Sequence, residues 1–208
     1  MTSVALCGID GAGKSTLAAR LRATLVSRGH RPVTVSKNDR HEARALAATR
    51  FRYEQPAAFL DGLSATWHAL TAALDFLQYV HHLTSTRLLD GHVLLLDRYV
   101  DCYVAFAATV DPECKALVEA LLENVPPADL VVHVRVPPTV AWSRITKDPH
   151  RVLASDESPA LLERFDAAFH ELFRGRSDVI EIDNTRPLDV TVRTVTDHIE
   201  GYLRRDRV

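Results

Sequence analysis

Residues 3–16 read SVALCGIDGAGKST, and this stretch decides the fold of the chain. Residues 3–7 are apolar and partly β-branched, which is typical of a buried strand. Residues 8–13 contain three glycines, whose freedom in φ allows a tight turn. From residue 14 onward the pattern becomes helical. A strand, a glycine-rich turn and a helix in this order form the first unit of an α/β fold with a parallel sheet.

The same alternation of short apolar runs and longer helical patterns continues to the C-terminus. It predicts a doubly wound parallel sheet of about five strands flanked by helices, in one domain over residues 1–208. Residues 147–158 are rich in charge without apolar periodicity, and we expect them to form a short lid. The predicted strands are 3–7, 32–36, 92–96, 130–136 and 179–183, and the predicted helices are 14–28, 66–89, 111–123, 137–146, 159–174 and 188–204.

The composition excludes several classes of protein. With 47% hydrophobic and 25% charged residues, the chain is unlike a disordered or collagen-like protein. Its net charge of -2 is unlike that of a nucleic-acid-binding domain. The three cysteines lack C-x-x-C spacing, which argues against a disulfide framework or a zinc site. Because no stretch reads as a secretion signal or a membrane span, we expect a cytoplasmic enzyme without nucleic-acid or membrane partners.

Residues 8–16 (GIDGAGKST) match the pattern G-x-x-x-x-G-K-[ST] of loops that bind nucleotide phosphates. The backbone N–H groups of such a loop point at phosphate oxygens, and the following helix adds the positive end of its dipole. In this pattern Lys14 reaches the β- and γ-phosphates, and the Ser15 hydroxyl ligates Mg²⁺. The predicted nucleotide-binding residues of the loop are Gly8, Asp10, Gly11, Ala12, Gly13, Lys14, Ser15 and Thr16.

A second acidic position, Asp97, follows the apolar run at residues 92–96. Ligands of open α/β sheets bind beyond the C-terminal ends of the strands. A carboxylate placed there can hold Mg²⁺ through water, as the second acidic element of phosphate-loop enzymes does. Ser15 and Asp97 are therefore the predicted metal-binding residues.

Three segments together resemble the thymidylate kinase family: residues 8–16, Asp97-Arg98-Tyr99 after an apolar strand, and residues 183–187 (DNTRP) before the last helix. The similarity covers nearly the whole chain. It implies a P-loop NTPase fold like that of nucleoside monophosphate kinases, with ATP and Mg²⁺ as cofactors. It also implies transfer of the γ-phosphoryl group of ATP to a small-molecule acceptor, and a homodimer.

The resemblance implies roles for individual residues. Asp10 would help to orient the acceptor, and Arg98 would contact the acceptor phosphate. Arg144 would lie against adenine, and Arg151 in the lid would stabilise the transferring phosphoryl group. The residues expected around adenine are Arg144, Asn184 and Arg186, and those expected in catalysis are Lys14, Asp10, Asp97, Arg98 and Arg151.

The predicted acceptor pocket departs from the family pattern. After the second strand the family carries R-E-P-G-G, whereas residues 37–41 read KNDRH. In the middle helix, Ala72 stands where the family has an aromatic that stacks on thymine, and Phe76 where it has a phosphate-binding arginine. Losing one bidentate, charge-assisted contact costs roughly 2–4 kcal/mol of binding energy, which disfavours dTMP. The alternative is a register shifted by one turn, with these positions in the core. The predicted acceptor-binding residues are Asp10, Lys37, Ala72, Phe76, Tyr79, Arg98 and Tyr103.

Three functions are compatible with these observations. The first is an ATP-dependent kinase of a nucleotide or nucleoside-like acceptor, with dTMP as the family default. The second is a kinase of a hydroxyl group on a non-nucleotide metabolite, in which Asp10 or Asp97 acts on the alcohol. The third is an NTPase that switches in response to a partner. The lid-like segment and Asp97-Arg98-Tyr99 fit phosphorylation of an acceptor better than they fit a switch.

Overall fold

The computed structural model describes residues 1–35, 64–85, 89–149 and 157–205, without the side chains of residues 82–85. Within these residues, five strands form one sheet in the order β2-β3-β1-β4-β5, and all pairs are parallel. The predicted doubly wound α/β architecture is therefore confirmed. The strands are β1 (Thr2–Cys7), β2 (Pro32–Val35), β3 (Val93–Asp97), β4 (Leu130–Arg135) and β5 (Val179–Asp183).

Seven helices belong to the described part of the chain. Six of them lie where the sequence predicts helices, with ends that differ by up to four residues. One helix, Val100–Val110, has no counterpart among the predicted elements, because its residues are apolar on nearly every side and show no helical periodicity. The helices are α1 (Lys14–Ser27), α2 (Ala65–Ser85), α3 (Val100–Val110), α4 (Pro112–Leu122), α5 (Pro138–Lys147), α6 (Pro159–Phe173) and α7 (Leu188–Arg205).

The centre of the core is β1, which lies between β3 and β4. Val4, Ala5 and Leu6 of this strand have no exposed surface. The helices pack in two groups: α1 against α7, and α3 against both α4 and α6. This grouping is typical of helix layers on the two faces of a doubly wound sheet. In the described residues, no helix has both the length and the apolar character needed to cross a membrane.

The pairing of β1 with β3 brings two functional segments together. Leu6 lies opposite Asp97 in the parallel register, and the Arg98 N–H donates to the Leu6 carbonyl at 3.2 Å. Because parallel strands run in the same direction, the glycine-rich loop after β1 and the chain after β3 leave the sheet at the same edge. The fold therefore places residues 8–16 beside residues 97–98.

Helix α6 covers the sheet with a row of aromatic rings at helical spacing. Phe165 stacks on Phe169 with ring centroids 4.9 Å apart, and Phe169 lies 5.6 Å from Phe173. Residues four apart share one face of a helix, so the three rings form a continuous apolar ridge. Phe169 is the largest of the completely buried side chains in the described residues.

Replacing Phe169 by alanine tests this packing. Because the ring has no exposed surface, Phe169→Ala should lower the free energy of unfolding by about 3–5 kcal/mol. Urea unfolding followed by circular dichroism measures the change. The control is Leu117→Ala, whose side chain is 54% exposed and whose loss should cost less than about 1 kcal/mol. Equal losses in both variants would contradict the assignment of Phe169 to the core.

Candidate active site

The loop at residues 8–13 packs too closely on its neighbours for any residue but glycine at two positions. A Cβ atom at Gly8 would lie 2.4 Å from the carbonyl oxygen of Val134, and one at Gly11 would lie 2.4 Å from that of Ala141. Both glycines also have positive φ, which disfavours other residues. The backbone of the loop is therefore seated directly against β4 and α5.

This loop borders a cavity of about 480 Å³. Asp97 and Arg98, which follow the sheet edge, line the same cavity, as does Arg144 from α5. The structure thus brings together most of the predicted nucleotide-binding residues and four of the five predicted catalytic residues. The predicted catalytic residues that line the cavity are Asp10, Lys14, Asp97 and Arg98.

Lys14 is a buried amine that turns back onto its own loop. Its Nζ donates to the carbonyl oxygens of Gly8 at 2.9 Å and Ile9 at 2.8 Å, and the residue is only 5% exposed. Burial, followed by the positive charge of Arg98, lowers the pKa of Lys14 to about 8. An anion in the cavity would supply the negative partner that this ammonium group needs.

Ser15 and Asp97 meet in the lining of the cavity. The Ser15 hydroxyl donates to Oδ2 of Asp97 at 2.5 Å, and Asp97 is 8% exposed. A hydroxyl and a carboxylate provide the hard oxygen ligands that Mg²⁺ prefers. This donor pair therefore fits the predicted metal site, since both residues line the cavity at the glycine-rich loop.

Arg98 adopts a strained backbone and forms an ion pair with Asp10. Its φ of 81° makes it the single non-glycine residue with positive φ in the part of the chain that the structure describes. Its guanidinium group donates to the Asp10 carboxylate. Burial opposes the charge of Arg98, but nearby negative groups, led by Asp10, raise its pKa above the usual value. Two predicted acceptor-binding residues thus hold each other in place.

Arg144 and Asn184 support the opposite side of the loop. The Nη2 of Arg144 donates to the Asn184 carbonyl at 3.0 Å, and its Nη1 lies 3.4 Å from the carbonyl oxygens of Gly11 and Ala12. The side-chain amide of Asn184 donates to the Ala12 carbonyl at 2.8 Å. The family resemblance places Asn184 near adenine, but nothing in the sequence indicates that its side chain fastens the loop.

The remaining cofactor-binding predictions are Thr16 and Arg186, of which Arg186 does not line the cavity. Thr16 lines the cavity with the rest of the loop. Arg186 is exposed, and its Nε lies 3.6 Å from the Asp183 carboxylate. Ile145 and Asp148 also line the cavity although the sequence analysis does not single them out. The sequence signal that could have pointed to these two residues is their position shortly after Arg144.

Of the predicted acceptor residues on α2, only Phe76 has ring contacts with Tyr99 and Tyr103, and none of the three lines the cavity at the glycine-rich loop. Phe76 is 6% exposed, stacks on Tyr103 with ring centroids 4.5 Å apart, and meets Tyr99 edge-on at 5.4 Å. Ala72 and Tyr79 are half-buried on the same helix. Burial raises the pKa of the Tyr79 phenol.

Two predicted site residues, Lys37 and Arg151, lie outside the described residues. The same holds for residues 150–156 of the predicted lid. The first lid position, Lys147, is the last residue of α5. The roles of Lys37, Arg151 and the predicted lid therefore stay predictions.

A second cavity, of about 490 Å³, lies beside β4, β5 and α6. Its ionic lining is partly neutralised within the protein, since Arg135 pairs with Glu181 at 2.9 Å. Of the predicted catalytic residues that the structure describes, none lines this cavity. The cavity at the glycine-rich loop is therefore the candidate active site.

Comparison with known proteins agrees with this geometry. The family model described as thymidylate kinase matches residues 6–195. A thymidylate kinase from Xanthomonas oryzae pv. oryzae strain PXO99A is 33% identical over 142 residues, which are 68% of this chain and 59% of that protein. One from Xanthomonas euvesicatoria pv. vesicatoria strain 85-10 is 32% identical with the same coverage.

A thymidylate kinase from Ruegeria pomeroyi is 28% identical over 209 aligned residues, which cover 96% of this chain and 95% of that protein. The match to the Xanthomonas proteins thus spans less than two thirds of their length, whereas that to the Ruegeria protein spans nearly all of it. The family match covers the loop, Asp97-Arg98-Tyr99 and Asn184. The chain belongs to the thymidylate kinase family.

Proposed function

We propose that this protein is an ATP- and Mg²⁺-dependent kinase that transfers the γ-phosphoryl group of ATP to a nucleotide or nucleoside-like acceptor other than dTMP. The observation that supports the activity is one cavity lined by a phosphate loop, a hydroxyl–carboxylate pair and a half-buried arginine. The relatives named above as thymidylate kinases support the same reaction type. A single domain, a homodimer and a cytoplasmic location are parts of the same proposal.

The loop and Lys14 would hold the phosphates of ATP. The loop offers backbone N–H groups, and Lys14 offers a buried ammonium that an anion stabilises. Ser15 and Asp97 would hold Mg²⁺, which when bound neutralises charge on the transferring phosphates. Arg144 and the chain near Asn184 and Arg186 would border adenine.

Arg98 and Asp10 would act at the acceptor end of the cavity. Arg98 would neutralise charge on the phosphoryl group as it moves, since phosphoryl transfer depends mainly on alignment and charge compensation. Asp10, fixed by Arg98, would orient the acceptor or accept a proton from an alcohol. Arg151 would add a second positive charge from the lid, and lid closure would exclude water.

The acceptor is the point at which we expect this protein to differ from its relatives. The proposal rests on Ala72 and Phe76 at the two helix positions where the family pattern has a stacking aromatic and an arginine. Phe76 is 6% exposed and packs against Tyr99 and Tyr103, so α2 offers no cationic group at that position. A dianionic phosphate would lose a charge-assisted contact there.

A panel of acceptors tests the proposed activity. With ATP and Mg²⁺ present, we expect ADP to form rapidly only when a suitable nucleotide or nucleoside is added, and dTMP to be a poor acceptor. Lys14→Met should abolish turnover because the phosphates lose their buried cation. Slow hydrolysis that no acceptor accelerates would favour a switch, and turnover with a non-nucleotide alcohol would favour the second function.

The lowered pKa of Lys14 predicts a pH dependence of ATP binding. In the free protein its pKa is about 8, and bound phosphates would favour the charged form. The affinity for ATP should therefore be highest below this pKa. It should fall as the pH rises through the pKa, by up to about tenfold per pH unit. Calorimetry above about pH 7.5, where ATP itself no longer titrates, measures the change.

Lys14→Arg is the matched control because arginine stays charged over this range. Its ATP affinity should show no fall near the pKa of Lys14. A wild-type affinity that is flat from neutral pH to well above this value would contradict the proposed role of Lys14.

Restoring an arginine on α2 tests the acceptor proposal. Phe76→Arg should improve kcat/KM for dTMP by roughly 30-fold, equivalent to about 2 kcal/mol, because it supplies a guanidinium for the phosphate. Phe76→Leu is the control that disturbs the same packing without adding charge. If both variants are equally poor with dTMP and both are destabilised, position 76 belongs to the core and not to the acceptor site.

A further inference from the structure

Arg176 links the end of α6 to the beginning of α3. It lies three residues after α6, and its N–H donates to the Phe173 carbonyl at 3.1 Å. Its Nη1 donates to Oδ1 of Asp101 at 2.7 Å, across 75 positions of the sequence. Asp101 lies in the first turn of α3, three residues after Arg98. Arg176 itself does not line the cavity at the glycine-rich loop, so the proposed phosphoryl transfer makes no direct use of it.

The guanidinium group of Arg176 is held from several sides. Its Nη2 and Nε donate to the two carboxylate oxygens of Asp178, at 2.6 and 3.1 Å. Its central carbon lies over the Phe173 ring, 5.2 Å from the ring centroid. The hydrogen bonds to Asp178 and Asp101 outweigh burial and raise the pKa of Arg176 above its usual value. Because Asp178 and the ring already fix this group, little further entropy is lost when it binds Asp101.

The ion pair between Arg176 and Asp101 is largely removed from solvent. The side chain of Arg176 is 31% exposed and that of Asp101 is 16% exposed. Exposed ion pairs contribute little because water and salt screen them, whereas a partly buried pair in a fixed geometry is screened less. Asp101 is also favoured where it stands, since a negative charge in the first turn of a helix complements the helix dipole. The pair is therefore suited to fix the first turn of α3.

Arg98 needs support on both sides because its backbone conformation is unfavourable. A non-glycine residue with φ of 81° keeps that conformation only when the surrounding contacts hold the chain in place. On the strand side, the Arg98 N–H donates to the Leu6 carbonyl at 3.2 Å. On the helix side, the Tyr99 hydroxyl donates to the Pro126 carbonyl at 2.7 Å, and Asp101 forms its ion pair with the chain after α6.

We propose that Arg176 is a positioning residue for Arg98. By binding Asp101, it holds the first turn of α3 and keeps the left-handed Arg98 where its guanidinium group meets Asp10 at the cavity. Less than one turn of helix separates Asp101 from Arg98, so a displacement of this turn reaches Arg98 directly. The effect on turnover rests on the proposed function, whereas the effect on the backbone of Arg98 does not.

The rest of α3 has its own packing against α6. Phe106 of α3 meets Phe165 of α6 with ring centroids 5.8 Å apart. Ala105 and Ala107 of α3 are buried as well. Loss of the ion pair should therefore release only the first turn of α3 and leave the helix in place. We expect variants of Arg176 to fold.

Arg174 provides a matched control. It lies two residues before Arg176, and its Nη2 pairs with Oε2 of Glu171 at 2.5 Å. Both side chains of this pair are exposed, and Glu171 lies on α6, so the pair makes no link to α3. Arg174→Gln removes a guanidinium group from the same segment and should keep the wild-type kcat.

Crystal structures of the wild type, Arg176→Gln and Arg174→Gln, grown without nucleotide, measure the position of Arg98. In Arg176→Gln we expect the backbone of Arg98 to leave the left-handed region or its ion pair with Asp10 to break. In Arg174→Gln both features should stay as in the wild type. An Arg98 that keeps both its φ and its ion pair in Arg176→Gln would overturn the proposal.

Steady-state kinetics measure the consequence for turnover. Arg176→Gln should lower kcat at least about tenfold and change KM for ATP by less than about twofold, because Arg98 acts on the moving phosphoryl group. Asp101→Asn removes the other half of the contact and should have the same effect. In an Arg98→Gln background, Arg176→Gln should lower kcat no further. An equal loss with and without Arg98 would show that Arg176 acts by another route, and would overturn the proposal.

The remaining outcomes separate this inference from the proposed function. A wild type that phosphorylates no acceptor would contradict the proposed function, and the crystal structures would still decide whether Arg176 positions Arg98. A displaced Arg98 with unchanged kcat would overturn the effect on turnover. If Arg176→Gln does not fold, Asp101→Asn replaces it in both measurements. Failure of both variants to fold would assign the ion pair to folding and overturn the proposal.

Discussion

The whole site depends on the close approach of the phosphate loop to its supports. Gly8 and Gly11 lie so near the carbonyl groups of Val134 and Ala141 that no Cβ atom fits. This contact fixes the loop relative to β4 and α5, and the side-chain amide of Asn184, which directly follows β5, fastens the loop by donating to the Ala12 carbonyl. Loop, strand ends and helix α5 therefore form one rigid frame, and the charged side chains act from fixed positions.

Within this frame the charges are arranged in pairs that an incoming ligand would rearrange. Lys14 rests on carbonyl groups of its own loop, Ser15 on Asp97, and Arg98 on Asp10. Each pair satisfies groups whose burial would otherwise cost free energy. A polyphosphate with a divalent cation offers the same groups partners of opposite charge. The site is therefore organised before the ligand arrives, which limits the entropy lost on binding.

The sequence pattern predicts those features that depend on neighbouring residues. Apolar runs predicted all five strands, and the spacing of glycines and Lys14 predicted the loop that the structure shows. It missed α3, because a helix that is apolar on nearly every side has no periodicity to read. It also missed the amide of Asn184, since a hydrogen bond to Ala12 across 172 positions leaves no trace in spacing. The enclosure of Phe76 by Tyr99 and Tyr103 likewise depends on tertiary packing.

The left-handed backbone of Arg98 lowers the stability of the folded protein at a residue that lines the cavity. At φ 81° a glycine would relieve steric strain of roughly 1–2 kcal/mol. The native chain instead keeps a bulky cation there, so selection for stability alone would remove the very group that faces the cavity. Variants of Arg98 that are selected for thermal stability should therefore lose activity. The strained conformation marks a position where function has been favoured over stability.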